Sequence, residues 1–447
     1  MALFRILESS MHYRKSTRIL LSIIFLSFIS MLIIGCQSPK SMEVETPPSS
    51  ISPNLQENLQ SHSIENESAS VDMPPDTASY QRRHELYLEN TMLINIDTDG
   101  EYIYWSGGEE NCCIWRRPLQ GERQESKAEL VAYTLYKDVE PKDIYGPLSV
   151  DHGAIAEISI EEDWLVFRDT KYASLYSPFF LRALNLRTGV EKIIESDQRP
   201  GAGDPIFALD GSRVVFARLT EREDGTCDAD SILVVYDLET DERQELDRVC
   251  PDDNYMWNFT SGIDISDNFV VAIQMFSDAQ GSEKKIVLFN LENGESRIIS
   301  GENKFSSGPA ISGKWAAWKV YPDDGEVGPG NGLGTPDYTV LMNLETGEIR
   351  EIHHTYGMDE PLLENGRWLY WDDRSEDPWL TAYDLNSGDV YTITVQAPGW
   401  YKGHWKIRGN TIAWYVWNAV QPDQEYLRWK TGADPSLLIR DENRPSQ

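Results

Sequence analysis

Positive charge is scarce in this chain. Its 447 residues carry 40 Lys and Arg against 73 Asp and Glu, a net charge of −33. Such a surface repels phosphate backbones and anionic lipid headgroups, which argues against nucleic-acid binding as a function class and suits basic partners or divalent cations. Catalytic signatures are missing as well. There is no Gly-x-Ser-x-Gly elbow and no His-Glu-x-x-His helix. The glycine-rich stretch Gly328-Pro329-Gly330-Asn331-Gly332-Leu333-Gly334 lacks the Lys-Ser/Thr of a phosphate loop and precedes no helical pattern, so it reads as a loop between two strands. Aromatic residues, in contrast, are plentiful. The 14 Trp, 21 Tyr and 13 Phe supply a large core and set the chain apart from a disordered protein.

One long apolar run stands out. Arg14, Lys15 and Arg18 precede Ile19–Ile34, which ends at Gly35-Cys36 and turns polar at once in Gln37-Ser38-Pro39-Lys40. Charge followed by an apolar stretch is the layout of a secretory signal. Ile33-Ile34-Gly35-Cys36 resembles the bacterial lipobox. That resemblance implies cleavage after Gly35 and lipid on Cys36, hence an exported protein of the bacterial cell envelope anchored to a membrane. Residues 1–35 are then the signal peptide, whose loss removes more basic residues than acidic ones. The competing reading is an uncleaved membrane-spanning helix, for which the run is marginally short. Residues 36–82 are poor in aromatics and rich in Ser, Pro, Glu and Asn, and read as the lipidated N-terminus and a disordered linker. Such a linker has a mean reach of about 35–40 Å.

With Cys36 assigned to lipid, four cysteines remain: Cys112, Cys113, Cys227 and Cys250. An even number in an exported protein permits disulfides. Cys227 and Cys250 flank one repeat unit and form the preferred pair. Cys112 and Cys113 are adjacent, and a vicinal disulfide, a partner-binding pair and two free thiols all fit.

The main body is a repeat. Its marker is an apolar strand ending in Asp/Asn-Leu, then a turn, then a short apolar strand. It reads Leu184-Asn185-Leu186-Arg187-Thr188-Gly189, Tyr236-Asp237-Leu238-Glu239-Thr240-Asp241, Phe289-Asn290-Leu291-Glu292-Asn293-Gly294, Met342-Asn343-Leu344-Glu345-Thr346-Gly347 and Tyr383-Asp384-Leu385-Asn386-Ser387-Gly388. Upstream of each marker lies a second hairpin, such as Leu209-Asp210-Gly211-Ser212 before Arg213-Val214-Val215-Phe216. Two hairpins make four strands, and units of 40–60 residues match propeller blades. The expected fold is all-β, a β-propeller of seven four-stranded blades over 83–441, with 442–447 as a tail. His84-Glu85-Leu86-Tyr87-Leu88-Glu89 either completes the last blade or stands outside it. Trp105, Phe167, Phe216, Trp318, Trp371 and Trp414 share one strand position, which assigns them to packing between blades.

These blades resemble TolB-type, WD40-like propeller repeats. The first, with Tyr102-Ile103-Tyr104-Trp105 and Ile114-Trp115-Arg116-Arg117, is more similar to YWTD repeats. The resemblance specifies fold and not activity. TolB-type proteins carry an α/β domain ahead of a six-bladed ring, and the polar segment before Tyr80 does not match it, so their translocation role is not inherited. Seven-bladed oligogalacturonate lyases use propeller histidines for metal and substrate. Here His84, His152, His353, His354 and His404 show no ligand spacing, and adjacent strand residues such as His353 and His354 face opposite ways. No metal site is therefore assigned from histidines. Asp97-Thr98-Asp99-Gly100 and Asp323-Asp324-Gly325-Glu326 offer oxygen ligands without EF-hand spacing, which leaves calcium as the one cofactor candidate.

Trp379, Trp400 and Trp417 fall outside the packing register and are the candidate ligand-binding residues, suited to stacking on sugar rings or anchoring a protein. The expected function is a monomeric, lipid-tethered binding or scaffolding module for a protein or saccharide, with no catalytic residue assigned. The runner-up is a cell-surface polysaccharide lyase or glycoside-active enzyme.

Overall fold

Short runs of β-branched and aromatic residues alternate with turns along the ring, and this pattern gives 29 strands among the described residues of the computed structural model. The structure describes residues 84–88, 95–107, 112–119, 128–136, 153–171, 177–199, 205–220, 230–249, 255–257, 262–278, 281–301, 305–321, 338–353, 361–372, 380–394, 400–409, 411–418 and 425–430. No helix occurs among them. Contacts separate Met1–Asp76 from Thr77–Gln447, and every described strand lies in the second unit.

Strand β1 (His84–Leu88) comes first. Blade 1 holds β2 (Asn95–Thr98), β3 (Tyr102–Gly107), β4 (Cys113–Pro118) and β5 (Glu129–Tyr133). Blade 2 holds β6 (Ala154–Glu161), β7 (Trp164–Thr170), β8 (Phe179–Asn185) and β9 (Glu191–Asp197). Blade 3 holds β10 (Ile206–Asp210), β11 (Arg213–Thr220), β12 (Asp230–Asp237) and β13 (Arg243–Val249). Blade 4 holds β14 (Tyr255–Trp257), β15 (Ile263–Ser266), β16 (Phe269–Asp278), β17 (Gly281–Asn290) and β18 (Ser296–Ile298). Blade 5 holds β19 (Phe305–Ser312), β20 (Trp315–Tyr321), β21 (Tyr338–Asn343) and β22 (Ile349–His353). Blade 6 holds β23 (Leu362–Glu364), β24 (Trp368–Asp372), β25 (Leu380–Asp384) and β26 (Val390–Thr394). Blade 7 holds β27 (Trp400–Arg408), β28 (Thr411–Asn418) and β29 (Glu425–Lys430), and β1 completes it.

The protein is a seven-bladed β-propeller, with six sheets of four strands and one of five. The extra strand departs from the expected four per blade. Strand β16 is ten residues long while its inner neighbour β15 has four, so the far half of β16 keeps an open edge. Tyr255–Trp257 pairs there, opposite Gln274–Phe276. Closure of the ring is also resolved. β1 pairs antiparallel with β29, Leu86 opposite Leu427 and Tyr87 opposite Tyr426, as the outermost strand of blade 7.

The marker has a physical cause. Its Asp or Asn folds the side chain back onto the turn: Asp237 Oδ1 accepts the Glu239 and Thr240 N–H groups at 2.8 and 3.0 Å, and Asn343 Oδ1 accepts those of Glu345 and Thr346 at 3.0 and 3.1 Å. The turn ends in left-handed backbone, met by Gly347 (φ 72°) in one blade and tolerated by Asp241 (φ 60°) in another. The marker Leu donates its N–H to the neighbouring turn, Leu238 to Ser212 O and Leu344 to Lys314 O. That bond ties the two hairpins of a blade at one end.

The core is not single. Seven apolar clusters each bridge two neighbouring blades, and the one joining Trp105 and Ile103 to Ala413 and Tyr415 spans blades 1 and 7. Trp105, Phe167, Phe216, Trp318, Trp371 and Trp414 are all buried in these interfaces, as their shared position implied. Fully burying a side chain such as Phe167 or Phe216 contributes about 1.5–3 kcal/mol.

Candidate functional site

The two ends of the ring are built differently. At one end each inner strand turns into the next strand through two or three residues. The last inner-strand side chain reaches the turn of the following blade. The Asp267 N–H donates to Asp210 Oδ2 (2.8 Å), Gly313 N–H to Ser266 Oγ (3.0 Å), Gly366 N–H to Ser312 Oγ (2.9 Å) and Gly409 N–H to Glu364 Oε1 (2.9 Å). Four consecutive junctions, from blade 3 to blade 7, share this geometry. Each bond satisfies a turn N–H that no strand partner reaches.

The next occupant of that position is Arg408, which behaves otherwise. Its guanidinium extends past blade 1 to blade 2, donating to Ile160 O at 2.7 Å and pairing with Glu161 Oε1 at 3.2 Å. One layer deeper, Asp97 Oδ2 accepts the Ile160 N–H (2.9 Å) and Asp264 Oδ2 accepts the Ile311 N–H (2.8 Å), equivalent bonds across blades 1–2 and 4–5.

The charges on these inner strands converge on the axis. Glu161 of blade 2 interacts with Asp97, Asp210, Glu364 and Arg408, which belong to blades 1, 3, 6 and 7. Lys406 of blade 7 acts on both Glu157 and Asp264. Only the centre of a ring is in reach of all these blades. Glu157 and Glu161 keep 32% and 23% of their side-chain surface accessible while enclosed by inner strands, so they face the axis rather than a dry core. Burial pushes Glu161 up to about 7 against the pull of Arg408, and Asp210, Asp97 and Glu364 push the same way. Burial also raises Asp264 to about 7, against the Ile311 and Ile265 N–H groups and Lys406. Burial raises Glu157 and Glu364 as well. For Arg408 burial opposes the charge, but Asp97, Glu161 and Glu364 outweigh it and hold the guanidinium above its ordinary value.

This axial set can bind the ring together and present negative potential to a cationic group. It also contains two carboxyl groups that exchange protons near neutrality, a property that clusters at functional sites. Both oxygens of Asp264 are already engaged, Oδ1 by the Ile265 N–H (2.9 Å) and Oδ2 by Ile311.

The opposite end carries most of the long connections, the stretch between β4 and β5 being the exception. Those that leave β3, β7, β11, β20, β24 and β28 depart there, as do those that enter each inner strand. Trp400 opens β27 and Trp417 lies near the end of β28, where Tyr401 pairs with Trp417 and Trp400 with Asn418, so the fold brings the two positions together at this end. Trp379 lies outside the described residues, as do Cys36, Cys227, Cys250, His152, His354 and the Asp323–Glu326 loop. His353 ends β22, exposed beside Glu351 at 3.7 Å. Cys112 and Cys113 sit at the same end with their sulfurs in contact and Cα atoms 3.8 Å apart.

The first acidic loop uses its carboxylates on protein donors. Asp97 is 2% exposed and bonds to blade 2. Asp99 accepts the Glu101 and Tyr102 N–H groups and the Tyr104 hydroxyl. Among the described residues no group of three or more His, Cys, Asp or Glu side chains is placed to hold a metal ion. Reasoning from sequence missed the axial residues Glu157, Glu161, Asp210, Asp264, Glu364, Lys406 and Arg408. The available signal was a polar residue closing the inner strand of repeat after repeat.

Neither a family model nor a curated protein matches the chain by sequence. Solved structures do match by shape. The oligogalacturonate lyase of Vibrio parahaemolyticus is 12% identical over 77% of this chain and 96% of its own, with a TM-score of 0.46. TolB from Acinetobacter baumannii is 11% identical over 62% of this chain and 79% of its own, TM-score 0.32. A prolyl endopeptidase is 9% identical over 77% of this chain, which spans 51% of that protein, TM-score 0.48. Likeness at these identities concerns the propeller fold alone.

Proposed function

We propose that this propeller is a binding or scaffolding module of a bacterial cell envelope, tethered by lipid on Cys36 and offering one end of its ring to a protein or saccharide ligand. The observation that carries the reading is the contrast between the two ends. One is stitched by repeated backbone bonds, from Asp210 to Gly409. The other gathers most of the long connections together with Trp400 and Trp417, and binding residues concentrate on such loops. The net charge of −33 favours a basic region on a protein partner and salt-sensitive binding. Pairing of Cys227 with Cys250 belongs to the same reading, supported by the register that sets Ser231 opposite Val249 between them.

Two experiments test it. Metabolic labelling with a fatty-acid analogue is expected to mark the chain and to fail for Cys36→Ala; a labelled Cys36→Ala protein overturns the tether. Capture from envelope extracts at low salt is expected to recover a specific protein partner that high salt releases, or else a glycan panel shifts the melting temperature. Failure of both arms overturns the module. The enzyme reading draws on Glu161 and Asp264, and product formation from a polysaccharide panel that is lost in Glu161→Gln would favour it.

A further inference from the structure

The geometry points to Cys112–Cys113 as a reversible vicinal disulfide that latches the outer edge of blade 1 onto blade 2. Joining adjacent cysteines closes an eight-membered ring that contains their shared peptide unit, so the Cys112 carbonyl loses its freedom to rotate. That carbonyl accepts the Thr134 N–H at 2.7 Å, and Cys113 pairs with Tyr133 in the ladder between β4 and β5. Thr134 and its neighbour then enter a buried lock. The Thr134 hydroxyl donates to Asp169 Oδ1, and the Leu135 N–H donates to Asp169 Oδ2 at 2.8 Å. Arg182 binds the same Oδ2 at 2.7 Å and the Tyr133 carbonyl at 2.9 Å. Thr134, Asp169 and Arg182 are 1%, 0% and 3% exposed. Asp169 and Arg182 belong to blade 2, so the turn after β5 is where blade 1 grips its neighbour. Tyr136 extends the grip, with its hydroxyl donating to Gln198 (2.9 Å) and its ring stacked on Phe180.

The cysteines differ from the lock in one respect: both are only partly buried, so a thiol can reach them. A thiolate of a dithiol reductant attacks one sulfur and expels the other cysteine as thiolate. The second thiol of the reductant then displaces the mixed disulfide, leaving two protein thiols and an oxidised reductant. A protein or small-molecule disulfide reverses the exchange. Reduction opens the eight-membered ring and frees the Cys112 carbonyl. The strip Leu130, Tyr133 and Leu135, exposed at 38%, 36% and 46%, lies on the segment that loosens. This inference is independent of what the ring binds.

The test uses the whole native protein with dithiothreitol. Alkylation followed by peptide mass spectrometry is expected to leave Cys112 and Cys113 unmodified before reduction and to add two alkyl groups after it. Hydrogen exchange at the amides of Thr134 and Leu135 is expected to rise about fivefold on reduction, the factor for one lost hydrogen bond. The Cys112→Ser/Cys113→Ser double variant should exchange at the reduced rate and ignore dithiothreitol. Alkylation of both thiols without reductant overturns the disulfide. Unchanged exchange at 134–135 after confirmed reduction overturns the latch.

Discussion

Replacing Arg408 by Met should cost stability in a pH-dependent way. The substitution keeps most of the side-chain volume and removes two things, the bond to Ile160 O at 2.7 Å and the cation facing Glu161 at 3.2 Å. A lost hydrogen bond to a charged donor that is partly exposed costs about 1.5 kcal/mol, the low end for charged groups. Removing one member of a buried ion pair costs about 3–5 kcal/mol. Because Arg408 and Glu161 retain 29% and 23% side-chain exposure, water screens part of that, and about 2 kcal/mol is the working figure. At pH 8 Glu161 is ionised, since its titration sits near 7, and the sum is about 3–4 kcal/mol. At pH 5.5 Glu161 holds its proton, the ionic part shrinks, and about 1.5 kcal/mol remains. Urea midpoints with an unchanged m-value measure both costs. Near 350 cooperating residues the same values correspond to about 4–6 °C in Tm at pH 8 and about 1–3 °C at pH 5.5. Equal costs at the two pH values would refute the ion pair as the link across blade 1, whatever their size.

Other expectations follow from the same ring. Asp264 titrates near 7 in the fold and near 3.8 when free, so the folded state binds its proton more tightly. That contribution is complete below pH 3.8 and is lost as pH rises to 7; Asp264→Asn should flatten the fall in stability between pH 5 and 8, and an unchanged slope would count against it. Arg182→Met removes the cation paired with Asp169, whose carboxyl burial already pushes up, and leaves that carboxyl enclosed without its ion-pair partner; thermal unfolding should show a loss of about 3–5 kcal/mol, and a loss below about 1 kcal/mol would be inconsistent with the lock. Gly262→Ala drives a Cβ into the Ile273 side chain and to 2.9 Å from Pro309 Cδ at a φ of 95°, whereas Gly100→Ala meets nothing within 4 Å at a φ of 89°. The first should cost about 2–4 kcal/mol and the second about 1 kcal/mol, and similar values for both would show that the clash is relieved.

The blades were legible because their cause is local. Asp237, Asn343 and Asp384 bond to amides two and three residues ahead, so the marker needs no distant partner to be recognised. The aromatic register was legible for a similar reason, since Phe216 and Trp318 recur at one strand position. What escaped is relational. Position 210 holds Asp, 266 and 312 hold Ser, 364 holds Glu and 408 holds Arg. These share no residue type because what they share is a turn amide or carbonyl in another blade, tens to hundreds of residues away. Strand β14 escaped because its place depends on the unequal lengths of β15 and β16 rather than on its own three residues. Both ends of the ring contain candidate chemistry, but only the aromatic end announced itself in the sequence.

The pairing of β1 with β29 has a mechanical meaning. Any load carried by the chain ahead of His84 enters the ring through that strand first. β1 is held by five residue pairs, His84 to Leu88 against Trp429 to Glu425, and no other described strand borders it. The seam that completes blade 7 is therefore also the point where any such tension would arrive. Pulled hard enough, β1 would peel away before any other strand parts, leaving β29 as a bare edge able to accept a strand from elsewhere. A propeller loaded through β1 would convert that force into an open pairing site on β29.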